Sequence, residues 1–261
     1  LTIQHAPNGQ IPFPDYCFNL LVSDESVRTG SAPKSTSNLK RHVRPAGGVM
    51  MLGAEHYVRP ALEGAGSWTH MYGDAGQSAN SHDQLISGKT GDNIEVQWFG
   101  LPGPDAMIDR LGRNQGPLSY QGRLFTQGDD RLIAQDSYNG RILWSLEIPG
   151  MRRTNVKVDT SNSCVDGQAY HLAVRDRCWK IDVATGQLLG SLAVSDGADT
   201  ALAWGYIASD RHLLIGSAVR KGASFFDFHG ADKWYDKPTG VGTEKVCSDN
   251  LFAIDKDTGT R

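Results

Sequence analysis

The sequence predicts a mainly β protein, a partial β-propeller of four-stranded antiparallel blades with a short α/β segment ahead of it. A repeated turn motif, the spacing of its copies and an excess of glycine over proline carry that expectation. The motif occurs as Asp130-Arg-Leu-Ile-Ala-Gln-Asp136-Ser-Tyr-Asn-Gly140, Asp176-Arg-Cys-Trp-Lys-Ile-Asp182-Val-Ala-Thr-Gly186 and Asp249-Asn-Leu-Phe-Ala-Ile-Asp255-Lys-Asp-Thr-Gly259. Asp136 and Asp182 lie 46 residues apart, within the ~40 to 50 residues of a four-stranded propeller repeat. Asp182 and Asp255 lie 73 apart, and the surplus falls in residues 225–246, which read as an inserted loop rich in turn formers. Thirty glycines against eleven prolines favour many short strands joined by tight turns.

Each copy reads as a pair of hairpin turns. The first Asp sits in one turn, and the Asp-x-x-x-Gly closes the next. A carboxylate there accepts hydrogen bonds from turn amides, and glycine supplies a positive φ. Asp136, Gly140, Asp182, Gly186, Asp255 and Gly259 are thereby assigned structural work. Strands are expected before the motifs at residues 123–127, 169–174 and 205–216. Outer strands follow the glycines, one of them carrying Trp144. A degenerate unit ends at Trp98, which resembles Trp144 in position.

A net charge of −3 and a pI near 6.2 supply no broad field for a polyanion, so nucleic acid is not expected as a partner. The longest apolar runs fall far short of the ~18 residues that span a bilayer, so no membrane span is expected. The chain is read as soluble, with periplasm and cytoplasm both open. Cys17, Cys164, Cys178 and Cys247 have no C-x-x-C spacing. Cys164 and Cys178 would pair only if their strands are neighbours; otherwise they are small buried apolar residues.

The pattern Ala-x-Asp-x-x-x-Gly-x-x-x-Trp, intact at Ala134, Asp136, Gly140 and Trp144, resembles the tryptophan-docking repeat of pyrroloquinoline-quinone (PQQ)-like propellers. That family includes quinoprotein dehydrogenases and outer-membrane assembly scaffolds. The runs from Gly66 and from Gln97 are similar to multidomain PQQ-like repeat proteins of planctomycete type. The resemblance covers residues 66–261, room for about four blades with an incomplete last one. It implies a sector of a larger protein, completed by further blades of the parent chain or by a protein partner.

Residues 1–55 lack the repeat and read as strand, loop, strand, helix, strand, with residues 56–65 as linker. Residues 18–22 read as a buried parallel-type strand, and residues 39–44 as a helix ended by Pro45 and followed by a second buried strand. With Ile11-Pro-Phe-Pro and Pro45-Ala-Gly-Gly, the segment resembles the C-terminal half of a class I S-adenosylmethionine (SAM)-dependent methyltransferase, a Rossmann-like half-domain. The glycine-rich loop of the first half is missing. The resemblance implies that His5, Ser23 and Asp24 would face any surviving cofactor pocket.

Other constellations read as surface. His229 with Asp227 and Asp232 lies in the turn-rich insertion, not along one helix face, and Arg152 and Arg153 sit on a loop of the kind that meets partners. No G-x-S-x-G elbow occurs. No calcium-binding, catalytic-Asp and stacking-Trp set for PQQ is identified, so no catalytic residue or metal ligand is assigned. The expected function is non-catalytic binding or scaffolding within a multidomain protein. The alternatives are a SAM-dependent methyltransferase whose propeller selects substrate and a PQQ-dependent oxidoreductase; SAM or PQQ would then be a cofactor of the parent protein.

Overall fold

The computed structural model describes residues 11–32, 38–85, 96–101, 116–128, 130–151, 161–167, 169–195, 202–220 and 248–261. The chain divides into two compact units. One comprises Leu1–Ala65 with Gln84–Phe99 and Asp136–Arg141, and the other Gly66–Asp83, Gly100–Gln135 and Ile142–Arg261.

The first unit holds a three-stranded sheet. β1 (Leu20–Val22) runs parallel to β2 (Val49–Leu52), and β2 pairs antiparallel with β3 (Glu55–Val58). The turn between β2 and β3 requires Gly53: φ is +59°, and a Cβ there would lie 2.6 Å from the Ala32 amide nitrogen. Val43, Met50 and Leu52 form the core, with Leu21, Leu39 and Tyr57 against it.

Two expectations for this segment change. The helix expected over residues 39–44 is only a 3-10 turn, Lys40–His42. Pro45 disfavours α geometry at Arg44, and the Arg59 guanidinium takes the Lys40, Arg41 and Val43 carbonyls at 2.8, 2.9 and 2.9 Å. Those are oxygens that a continuing helix would use. Residues 55–58, read as the end of the segment and the start of a linker, form β3. Among the described residues this segment holds the parallel β1–β2 pair and the six-residue helix α1 (Asp24–Thr29), and the expected Rossmann-like half-domain is not shown.

The second unit supplies most of the repeat's strands. β4 (Leu118–Tyr120), β5 (Arg123–Gln127), β6 (Arg131–Asp136) and β7 (Ile142–Glu147) form one four-stranded sheet in chain order. β8 (Ser163–Asp166), β9 (Ala169–Val174), β10 (Arg177–Asp182) and β11 (Leu188–Ala193) form a second. β12 (Leu202–Asp210), β13 (Leu213–Arg220) and β14 (Asn250–Asp255) form a three-stranded third. Neighbouring strands in these sheets pair antiparallel, as β4–β5, β6–β7, β8–β9, β9–β10, β10–β11, β12–β13 and β13–β14 do. Between Gly66 and Trp98 the described residues form turns and isolated bridges.

The inner strands of the second sheet, β8 and β9, are buried on both faces, as their side chains alternate with a period of two. Val165, Tyr170, Leu172 and Ile181 enter one core with Leu118, Phe125 and Leu132 of the first sheet. Cys164, Ala173 and Cys178 enter another with Trp204, Ile207, Leu214 and Ile254 of the third. The strands at the start of each sheet neighbour one another, β4 against β8 and β8 against β12. Burial of such large side chains contributes about 1.5–3 kcal/mol each, so the stacking of sheets is the main source of stability.

Candidate functional site: the inter-sheet polar cluster

The turn motif folds as its chemistry requires. Asp182 Oδ1 accepts from the Ala184 and Thr185 amides at 3.0 and 2.7 Å and from the Thr185 hydroxyl at 2.8 Å. Asp255 Oδ1 repeats this with Asp257, Thr258 and the Thr258 hydroxyl at 3.0, 2.8 and 3.0 Å. Thr185 and Thr258 hold the respective carboxyls below the usual carboxylate range.

Asp136 differs. Its Oδ1 accepts only the Tyr138 amide among the turn amides, at 2.9 Å, and its Oδ2 lies 2.8 Å from Arg44 Nε and 3.4 Å from Asn19 Nδ2. Asn139, standing where the other copies have Thr, donates to Asn19 Oδ1 at 2.7 Å. The corner is fully buried at Asp136.

The tryptophans seat on the motif glycines. Trp144 Nε1 donates to Val183 O at 3.1 Å with its ring over Gly186. Trp98 Nε1 donates to Ser137 O at 2.9 Å with its ring over Gly140. At the third copy, Leu192 is nearest to Gly259, 3.9 Å from a Cβ there. The register explains the difference. Trp144 pairs with Ala134 before a bulge, and in the next sheet the same place opposite Lys180 is taken by Gly190.

A denser constellation joins the second and third sheets. Asp166 ends β8, His171 lies within β9, Ser209 is near the end of β12, and Lys256 follows β14. Asp166 Oδ1 lies 3.3 Å from His171 Nε2. Its Oδ2 accepts from the Ser209 hydroxyl and from Lys256 Nζ, which also lies 2.7 Å from Ser209 Oγ. His171 and Ser209 are buried. Burial alone would raise the Asp166 carboxyl, but hydrogen bonds and charge from His171, Lys256 and Ser209 hold it far below the usual range. His171 Nδ1 is buried without a hydrogen-bond partner among the described residues.

The segment Gly66–Asp83 meets the three sheets through three consecutive residues, the last of them at the cluster. Trp68 exchanges backbone hydrogen bonds with Ser119 of β4 at 2.8 and 2.9 Å. The Thr69 carbonyl accepts from the Val165 amide of β8 at 2.9 Å. His70 Nε2 accepts from the Ser209 amide of β12 at 3.1 Å. Farther along, Gln77 Nε2 donates to the Tyr206 hydroxyl at 3.0 Å.

Solved structures to which this chain is similar include proteins of 14–18% identity. A quinohemoprotein alcohol dehydrogenase from Pseudomonas putida HK5 matches 75% of this chain and 26% of its own, at 18% identity and a TM-score of 0.49. A europium-containing methanol dehydrogenase matches 56% and 31%, at 16% and 0.36. BamB from Moraxella catarrhalis matches 43% and 42%, at 14% and 0.23. The chain thus spans about a third or less of the two dehydrogenases' lengths. No family model and no curated protein matches the sequence.

Of the residues expected at a cofactor pocket, Ser23 accepts the Ser26 amide at 3.3 Å as the N-cap of α1, and Asp24 pairs with Arg28 at 3.0 Å on its exposed face. His5 lies outside the described residues, as do Arg152, Arg153, Asp227, His229, Asp232 and Cys247. Cys17, Cys164 and Cys178 are free thiols; β9 separates the strands of the last two. Among the described residues no group of three or more His, Cys, Asp or Glu is placed to hold a metal, and no helix is long and apolar enough to cross a membrane.

Sequence reasoning missed the Asp166 cluster. Its members are 5 to 90 residues apart, and the available signal is a polar residue closing an otherwise apolar strand, as in Ser163-Cys-Val-Asp166 and Ile207-Ala-Ser209.

Proposed function

We propose that the chain is a sector of a PQQ-like β-propeller that serves as a non-catalytic protein-binding scaffold within a larger protein. One observation carries this reading: among the described residues of the second unit, the cluster around Asp166 joins two sheets and the motif aspartates hold turns. Asp166, Ser209 and Lys256 pair with one another across two sheets, His171 Nε2 faces the same carboxylate, and Asp182 and Asp255 cap their own turns. A carboxylate and an ammonium neutralised in this way are braces, not reagents. The outer strands meanwhile expose Ile142, Leu188 and Leu189, apolar surface of the kind that partners or further blades cover.

Equilibrium dialysis tests the proposal against its rivals. The scaffold reading expects no retention of PQQ, with or without calcium, and no PQQ-dependent dye reduction. It also expects crosslinks from a saturable protein complex to fall on β7 and β11. Stoichiometric PQQ binding with dye reduction would replace it with the oxidoreductase reading.

A second reading for residues 11–58 rests on the parallel β1–β2 pair, whose carboxyl end leads into Ser23 and Asp24. Ligands of α/β sheets gather beyond such ends. On this reading the segment is a methyltransferase remnant, and it is tested by dialysis against SAM.

A further inference from the structure

We infer that His70 is an acid-released latch holding the segment Gly66–Asp83 to β12. The inference concerns regulation and is independent of what the scaffold binds.

The latch rests on which way each hydrogen bond runs. A backbone amide can only donate, so Ser209 N–H makes His70 Nε2 an acceptor without a proton. The neutral ring then carries its proton on Nδ1, which faces Thr69 Oγ1 at 2.9 Å; the Thr69 hydroxyl is directed to the Gly73 carbonyl at 3.4 Å. His70 and Ser209 are 3% and 5% exposed, so water does not take over either bond. Adding a proton to Nε2 sets N–H against N–H and leaves a buried amide with no acceptor, a state that protein interiors avoid.

The surrounding charges act in both directions. Asp74 on the segment itself, Asp166 at the end of β8 and Asp210 at the end of β12 each favour a histidine cation. Lys256, after β14, sits on Asp166 and opposes it, and His171 shares the same carboxylate. His82 faces Asp74 at 3.4 Å. Burial outweighs these carboxylates and lowers the His70 pKa below the ordinary value of 6.5. A base with a depressed folded pKa contributes stability that is complete above about pH 6.5 and is lost as pH falls toward the folded value. Acid therefore opens the attachment to β12, while the pairing of Trp68 with Ser119 keeps the segment tethered.

Hydrogen exchange on the full chain at pH 7.5 and pH 5.0, corrected for intrinsic rates, reads the latch. Protection of the Ser209 amide and of residues 70–79 is expected to drop at the lower pH, by about tenfold for each pH unit between the unfolded and folded pKa values. His70→Gln, whose side-chain carbonyl accepts at either pH, is expected to remove the pH response, whereas His82→Gln retains it. Equal protection of the wild type at both pH values overturns the latch, as does a His70→Gln variant that responds like the wild type. Nitrogen NMR of the wild-type ring gives a reading that needs no variant: the Nδ1–H tautomer at pH 7.5 supports the latch, and the Nε2–H tautomer overturns it.

Discussion

The indole of Trp144 occupies the space that a side chain on Gly186 would need: a Cβ there would lie 2.7 Å from the ring. The glycine is a seat, and the Nε1–H bond to Val183 fixes the ring's rotation on it. Trp98 and Gly140 repeat the arrangement in the other unit.

Gly186→Ala therefore meets two obstacles, a positive φ of +75° and the ring itself, and is expected to cost on the order of 2–4 kcal/mol. Gly259→Ala, with φ +72° and only Leu192 nearby at 3.9 Å, meets the first alone and should cost about 1–2 kcal/mol. Urea midpoints of the two variants check the ordering, and equal losses would show that the indole contributes nothing at Gly186.

The equivalent aspartates are expected to behave unequally. Asp136→Asn strips the counter-charge from Arg44, whose side chain is 15% exposed, and should destabilise by about 3 kcal/mol. Asp182→Asn keeps an oxygen for the same turn amides in an exposed corner and should cost far less. Thermal unfolding of the pair measures the difference, and a larger loss at Asp182 would contradict the assigned roles.

Acid should loosen the bond between the second and third sheets. The depressed Asp166 pKa means that its stabilisation is complete above the ordinary carboxylate value near 4 and is lost as pH falls below it. Lys256→Met removes one partner and should lower stability at pH 7 by roughly 2–4 kcal/mol, with a shallower acid slope than the wild type. Denaturant titrations from pH 7 to pH 3 provide both numbers.

The described thiols should be inert in the folded protein. Burial pushes Cys164 and Cys178 far above the usual thiol range, and it also raises Cys17. Since the thiolate is the reactive form, iodoacetamide at pH 8 is expected to modify Cys164 and Cys178 only after denaturant is added. Rapid native labelling at either, read by peptide mass, would refute their burial.

Local patterns were readable from sequence, and long-range ones were not. Residues 123–127 and 169–174 match β5 and β9 end to end, because turn residues bracket alternating apolar runs there. The Asp and Gly corners were readable because each Asp serves amides two or three residues away. The partner of Asp136 was not, since Arg44 is brought to it by the tertiary fold, although Asn139 in place of Thr marked that corner as different. The helix expected at residues 39–44 failed for a similar reason: Arg59 claims its carbonyls from outside the local window. The cluster around Asp166 brings together residues of β8, β9 and β12 and the residue after β14, which no short pattern connects.

The stretch Trp68-Thr69-His70 addresses β4, β8 and β12 one residue at a time. Such a stretch works as a ruler. A single insertion between Trp68 and His70 would shift every later attachment by one place, offering each sheet the group meant for its neighbour.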